Sequence, residues 1–259
     1  MKFSRLKWAI NDSMTMAKRN VLALVRVPTA LVFAVVQPIM FVLLFRYVFG
    51  GGAIQVNIPG GYVNYLIPGI LVQTTIFGSV STAIGLAEDL EKGLIERLRA
   101  LPIARMAVLT GRTISDLLRN LMILIVITGI GFAVGFRPGG GPLHYVEASA
   151  IMLAFAYCLS WGFAYIGLIA PNAEAAQAMT FPLIFPLTFA SGIFVQVSSM
   201  PSWLQGFAGN QPVTMVTKAV RSLMLGTPVG NTLWVSLAWS IGVLLVLAPL
   251  TVAKFRRAT

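Results

Sequence analysis

Apolar residues run in membrane-length stretches along this chain, and the charges gather in short islands between them. Nothing from Tyr47 to Ala87 is charged, nor anything from Leu121 to Phe136. Six stretches, at about 29–49, 63–86, 107–136, 146–170, 175–196 and 231–253, come near or exceed the roughly 20 apolar residues that cross a hydrocarbon core as a helix. The pattern predicts an all-α polytopic membrane protein with six transmembrane helices in a domain spanning 29–253. The third stretch is long, and its first turns carry Arg112, Asp116 and Arg119. Charges deep in lipid cost about 2.5–3.5 kcal/mol each on insertion scales. That helix end is therefore expected to project from the hydrocarbon, with Asp116 pairing with Arg112 or Arg119 across a turn.

Between the second and third stretches lies the charged island Glu88–Arg105, which holds four of the chain's eight acidic residues. Leu86, Leu90, Leu94, Leu98 and Leu101 recur at spacings of four, four, four and three, the stripe of an amphipathic helix. Acids come first and Arg97, Arg99 and Arg105 last, which complements the helix dipole. Glu88 and Lys92 form an i,i+4 pair in the favourable order. Gly93 marks a bend and Pro102 a stop. The prediction is a helix over 88–105 at the mouth of the bundle, with one face free to dock on a soluble partner.

Residues 1–28 are basic. Phe3, Leu6, Ile10 and Met14 fall near one helical face with Trp8 beside them, the pattern of an interfacial helix before a turn at Pro28; a solvated basic leader is the alternative. The residues show no cleavable signal peptide pattern. With the N-terminus inside, fifteen Lys and Arg residues lie on inner segments, and four (Arg46, Arg137, Lys218 and Arg221) lie outside. This asymmetry puts both termini, the tail 254–259 and the charged island in the cytoplasm. The glycine runs Gly50–Gly52, Gly60–Gly61 and Gly139–Gly141 read as outer turns. The segment 197–230 is outside by this topology, yet carries Met200, Trp203, Leu204, Phe207, Met215 and Leu223. It is predicted to fold back as a re-entrant hairpin of two short helices, because irregular backbone at depth needs cover.

Composition agrees with the pattern: 57% of residues are hydrophobic and 10% charged, against roughly a quarter charged in soluble domains. The net charge of +11 is spread beside the apolar stretches and forms no single basic patch for nucleic acid. One cysteine, Cys158, and one histidine, His144, exclude an internal disulfide, a cysteine-built metal site and a His cluster. No G-x-x-x-x-G-K-[ST] occurs, so no P-loop is expected in this chain. An intramembrane enzyme or an ion channel would want convergent titratable groups at membrane depth, and the predicted spans offer essentially none. Gly131 and Gly135 are spaced for close helix approach, with simple packing as the plainer reading.

The run EKGLIERLRALPIARMAVLTGRTISD resembles the cytoplasmic coupling segment of ABC-2-type permeases, in particular drug exporters of the daunorubicin-resistance type. FPLIFPLTFASGIFVQVSSMPSWLQGFAGNQPVTMVTKAVRSLMLG is similar to that family's fifth span and outer hairpin, and LLFRYVFGG to the end of its first span. One departure is that Gln211 stands between Asn210 and Pro212, where many members place Asn directly before the Pro-Val/Phe-Thr signature. The resemblance implies a fold like that of type V ABC exporters and a transport subunit with no nucleotide site of its own. It also implies a homodimer or a heterodimer with a sister permease, joined to separate P-loop ATPase subunits that carry ATP and Mg. The location implied is the bacterial plasma membrane, with membrane lipid around the dimer. The cargo expected is a hydrophobic or amphiphilic compound, drug or lipid; a lipid-linked glycan or cell-envelope lipid is the alternative.

The coupling residues so indicated are Glu88, Asp89, Glu91, Gly93, Leu94, Glu96, Arg97, Leu98, Arg99 and Pro102. The leucines, with Leu90 and Leu101, either seat in a groove of the ATPase or pack on the bundle itself. By resemblance, spans two and five face the dimer interface, which makes Gln73, Phe77, Phe181, Phe185, Phe189 and Phe194 candidates for the substrate path. Thr74, Thr75, Ser79, Thr188 and Ser191 add scattered polar groups. Asn210, Pro212, Thr214 and Arg221 mark the outer hairpin. Arg46, Lys218 and Arg221 either hold lipid phosphates or snorkel.

Overall fold

The computed structural model describes residues 12–20, 22, 28–49, 60–99 and 107–258. These residues are helical almost throughout and include no strand. In chain order they form α1 (residues 12–20), α2 (Pro28–Leu43) running into a π-helical turn Leu44–Phe49, α3 (Gly61–Glu91), α4 (Leu94–Arg99), α5 (Ala107–Val134), α6 (Gly141–Ile169) and α7 (Ala173–Phe189). A 3₁₀ turn at Val197–Ser199, α8 (Ser202–Asn210), α9 (Pro212–Leu225) and α10 (Thr232–Ala258) complete the chain.

α3 is the axis of the bundle, buried along most of its length. Leu66, Ile67, Ile70, Leu71 and Ile76 pack with Ile127 of α5, Met152 and Phe155 of α6, Ile184 of α7 and Val216, Val220 and Met224 of α9. A second apolar cluster closes the end that carries the charged island: Leu86, Ile95, Leu109, Trp161, Ala164, Leu168 and Phe255. α3 and α5 run antiparallel. Arg112 meets Ser81 at the charged end; at the other end the Asn64 amide grips the backbone of Arg137, accepting from its N–H at 3.0 Å and donating to its carbonyl at 3.3 Å.

Among the described residues four helices are long and apolar enough to cross a membrane, within Gly61–Glu91, Leu109–Val134, Gly141–Ile169 and Thr232–Arg256. The other two predicted spans are shorter. The apolar part of the first is Ala34–Val48. α7 has 17 residues and stops at Phe189, well before residue 196. At 1.5 Å per residue it reaches about 25 Å, less than a hydrocarbon core of about 30 Å. Pro182 and Pro186 remove two ladder N–H groups inside α7, and the carbonyls beyond its end are bonded by other elements.

The predicted helix over 88–105 is divided. Glu88, Asp89 and Glu91 belong to the last turns of α3. Lys92 and Gly93 form a turn, with Gly93 in the left-handed region at φ 62°, and α4 begins at Leu94. Residues 100–106, with Leu101, Pro102 and Arg105, lie outside the described residues, as do 1–11 and the Gly50–Gly52 run. α1 buries Met16 and Ala17 and leaves Met14 exposed. Its contact with α5 is close: Ser13 and Thr110 hydroxyls are 2.7 Å apart. α10 continues as helix through the predicted tail to Ala258, because Phe255 is buried in the second cluster.

The segment 197–230 holds two short helices, as its pattern predicts. Gly226, at φ 70°, ends α9; its N–H bonds Leu223 O and that of Thr227 bonds Ser222 O, satisfying terminal carbonyls. Gly140 N–H takes Met224 O at 3.0 Å, so the Gly139–Gly141 run is a close contact with α9 as well as a turn. Gly131 faces Ile67 on α3, whereas Gly135, at φ 105°, ends α5.

Candidate substrate cavity and coupling surface

Small residues of α3 make a groove for the polar side chains of α5. A Cβ on Gly85 would collide with the Arg112 guanidinium, and one on Gly78 with the Asn120 amide. Between these glycines, the Ser81 hydroxyl donates to Asp116 Oδ1 at 2.9 Å and the Thr82 hydroxyl donates to Oδ2. Arg112 donates to Ser81 O at 3.1 Å and pairs with Asp89 at 3.5 Å. Arg19 of α1 reaches the same Asp89 oxygen at 3.4 Å. Deeper in, Arg119 pairs with Asp116 at 3.7 Å and donates to Gly78 O. Ionic and hydrogen bonds therefore run without a break from the charged end of α3 into the bundle. The predicted pairing of Asp116 is present, and both Asp116 and Arg119 are buried within the protein.

Arg119 lines a cavity of about 250 Å³ bounded by α2, α3, α5 and α7. Of the predicted path residues, Gln73, Phe77 and Phe181 line it, as does Thr74. Phe185, Phe189 and Phe194 do not. They continue from Phe181 as a row of rings, with centroids 5.7, 5.3 and 5.4 Å apart, ending against Phe45 at 4.5 Å. Phe181, Phe185 and Phe189 are exposed at the bundle surface, and Phe194 is buried. The Thr75, Ser79, Thr188 and Ser191 hydroxyls all donate to backbone carbonyls of their own or a packed helix, so they serve the bundle. Arg119, Gln37, Gln177 and Thr180 also line the cavity, and none of them was among the path candidates. A usable signal existed for Arg119: residues 112, 116 and 119 share one face of α5 at helical spacing.

At the far end of α7, a clamp built from α3 and α9 holds the chain where it leaves the helix. Arg221 is buried, its Nε donating to Tyr65 O at 3.0 Å and its Nη2 to Gly192 O at 2.9 Å and Ile193 O at 3.3 Å. Its guanidinium carbon also stands 3.6 Å from the centre of the Tyr65 ring. Tyr65 Oη donates to Gly192 O, and Tyr62 Oη to Phe194 O. Thr214 Oγ1 accepts from Gly192 N–H at 3.1 Å, and the Gln211 amide donates to Ala190 O. Gly69 permits the approach, since a Cβ there would lie 2.5 Å from Ile193 O. Arg221 is therefore turned inward, with Nε and Nη2 on backbone carbonyls, where a snorkelling or lipid-phosphate role would have it extend to the surface. Asn210 is exposed and bonds Gly206 O within α8, while Pro212 opens α9. Gln211, the residue that departs from the family signature, is the one that reaches α7.

On the charged surface, Lys92 pairs with Glu88 at 3.2 Å. Asp89 and Leu94 are half-buried, while Glu91, Lys92 and Arg97 are exposed. Leu86 belongs to the second apolar cluster and Leu90 packs on it, so Leu90 takes the bundle-packing alternative. Ile95, outside the predicted stripe, is the α4 residue buried there. Glu96, Leu98 and Arg99 lie on α4 by backbone, and their side chains are outside the described set.

Residues 12–225 match the ABC-2 type transporter family, and the chain belongs to it. It is 33% identical over 248 residues to the daunorubicin resistance ABC transporter permease protein DrrB1 of Streptomyces coeruleorubidus, covering 96% of this chain and 87% of that one. It is 27% identical over 226 residues to a Mycobacterium tuberculosis protein named "Probable doxorubicin resistance ABC transporter permease protein DrrC", covering 87% and 81%. The doxorubicin resistance permease DrrB of the same organism is 23% identical over 175 residues, covering 68% and 60%. Family and apolar helices together make this a multi-pass membrane protein.

Proposed function

We propose that this chain is the membrane-spanning permease subunit of an ATP-driven exporter that moves hydrophobic or amphiphilic compounds out of the cytoplasm or inner leaflet. In this reading α2 and α7 complete a set of six spans, both termini and α4 face the cytoplasm, and α8 and α9 form the outer hairpin. A separate P-loop ATPase docks on the surface around α4, and a second permease, this chain again or a sister, completes the pathway across the bacterial plasma membrane. ATP and Mg belong to the ATPase.

The single observation that carries the reading is the unbroken polar connection from Asp89, beside α4, to Arg119 in the wall of the cavity. A displacement at the charged surface has a mechanical route to the place where cargo would sit. The exposed charges there set register with a partner, and the row of phenylalanines offers soft surface to an apolar cargo.

The test is co-purification with candidate P-loop ABC ATPase subunits of the same organism, in lipid nanodiscs, comparing wild type with Leu94→Asp/Arg97→Glu. The wild type retains the ATPase and raises its ATP hydrolysis; the double variant inserts and folds but loses at least about tenfold in ATPase recovery, as expected for a disrupted interface core and charge pair. Equal recovery by both would move the docking surface elsewhere on the protein, and no recovery by either would sink the exporter reading.

A further inference from the structure

We propose that the cavity between α2, α3, α5 and α7 is a head-group site for an anionic amphiphile, a carboxylate or phosphate on an apolar body. This deepens the exporter reading, and rests on it for the claim that such a molecule is cargo.

Three observations point the same way. First, the cavity wall contains buried donors without acceptors. Gln73 and Arg119 both line it, and both leave a side-chain N–H (Gln73 Nε2, Arg119 Nε) with no partner among the described residues. Buried donors left unmade are costly, and a ligand whose acceptor oxygens meet these side chains as they turn toward the cavity would remove that cost. Second, the charge balance favours an anion. Arg119 is the charged residue among those lining the cavity. Among the described residues, the ion pairs that join this cluster set Arg19, Arg112 and Arg119 against Asp89 and Asp116. Asp116 does not line the cavity, and its oxygens accept from the Ser81 and Thr82 hydroxyls behind the wall, so the cavity presents no carboxylate to a cationic head group. Third, one side of the wall is aromatic and leads outward. Phe41, Phe77 and Phe181 line the cavity, and Phe185 and Phe189 carry the same soft surface beyond it, exposed along α7. A volume of about 250 Å³ admits a head group and its first carbons; the chain behind them would lie along those rings.

The experiment places the full-length permease in nanodiscs of phosphatidylcholine alone, at alkaline pH so that a fatty acid is ionised. Spin-labelled stearate and its methyl ester are compared by the motionally restricted fraction in electron paramagnetic resonance. The expected result is a saturable restricted component for stearate, with an association constant about tenfold above that of the ester, the effect of a charge-assisted hydrogen bond. Gln73→Leu, which removes one orphan donor and leaves no group unpaired, should reduce that preference several-fold. Asp116→Leu/Arg119→Leu removes the buried pair together, avoiding a lone buried charge, and should abolish it; an unchanged thermal midpoint for Gln73→Leu certifies the fold. Equal binding of acid and ester, or a preference that survives both variants, overturns the proposal. A further arm replaces part of the phosphatidylcholine with phosphatidylglycerol. Competition with stearate identifies a membrane phosphate as an occupant, and its lack identifies a free amphiphile; both satisfy the proposed chemistry. Stearate preference without any ATPase association would leave the site standing and the exporter reading fallen, and the reverse pattern would do the opposite.

Discussion

Arg119 and Arg221 are both buried cations, and they are stabilised by different means. Arg119 has a carboxylate, Asp116, one turn away on its own helix. Arg221 makes no ion pair among the described residues, and is held by three backbone carbonyls and the face of Tyr65. A forked planar donor suits that task and an ammonium does not. Arg221→Lys, which keeps the charge, should therefore lower stability by roughly 2–4 kcal/mol as buried carbonyls lose their donors, read as a drop in thermal midpoint in detergent. Lys218→Arg, three residues away and half-exposed, is the control, expected within about 0.5 kcal/mol of wild type. The sequence showed Arg221 as a basic residue near a predicted boundary. Its partners lie 28 to 156 positions away, and no local pattern encodes such distances. Gln211 was illegible for the same reason, although its departure from the family signature drew notice.

At the scale of elements, period and composition located the helices well because each is written within its own stretch: an apolar run, a proline, a glycine at a turn. Gly93 is an example, singled out as a bend and found at φ 62° between α3 and α4. Gly93→Ala should cost about 1 kcal/mol through the left-handed backbone alone. It should also weaken the turn that presents α4, so that limited proteolysis at 92–99 accelerates while the midpoint of the bundle barely moves. The α3–α5 seam was less legible. Gly78, Ser81, Thr82 and Gly85 are unremarkable as a list, and they become a groove only when Arg112, Asp116, Arg119 and Asn120 lie opposite. Helical spacing had put the α5 residues on one face without saying what that face meets. The length of α7 was overestimated because its apolar run continues past Phe189 after its backbone has left the helix.

For the whole molecule, orientation is the property that charge counting addresses and atomic contacts do not. In a Cys158→Ser background, Lys92→Cys should resist a membrane-impermeant maleimide in intact cells and react after lysis, whereas Thr227→Cys should react in both. The opposite pattern would invert the topology. Gln73, Phe77 and Phe181, named as path candidates on spans that the resemblance set at an interface, line the cavity; its enclosure by four helices depends on tertiary packing that no single run displays. The anchoring of α7 has one more consequence. Its distal end, Ala190–Phe194, is tied down by Arg221, Tyr62, Tyr65, Thr214 and Gln211, while its first turn is held by the Asn172 cap. A rod fixed at one end tilts about that end. Taking α7 as an arm of about 25 Å, a tilt of about 10° would carry its first turn roughly 4 Å, and Gln177, Thr180 and Phe181 in the cavity wall belong to that half. In such a tilt the clamp would be the fulcrum, and a small push at the charged end would change the width of the chamber.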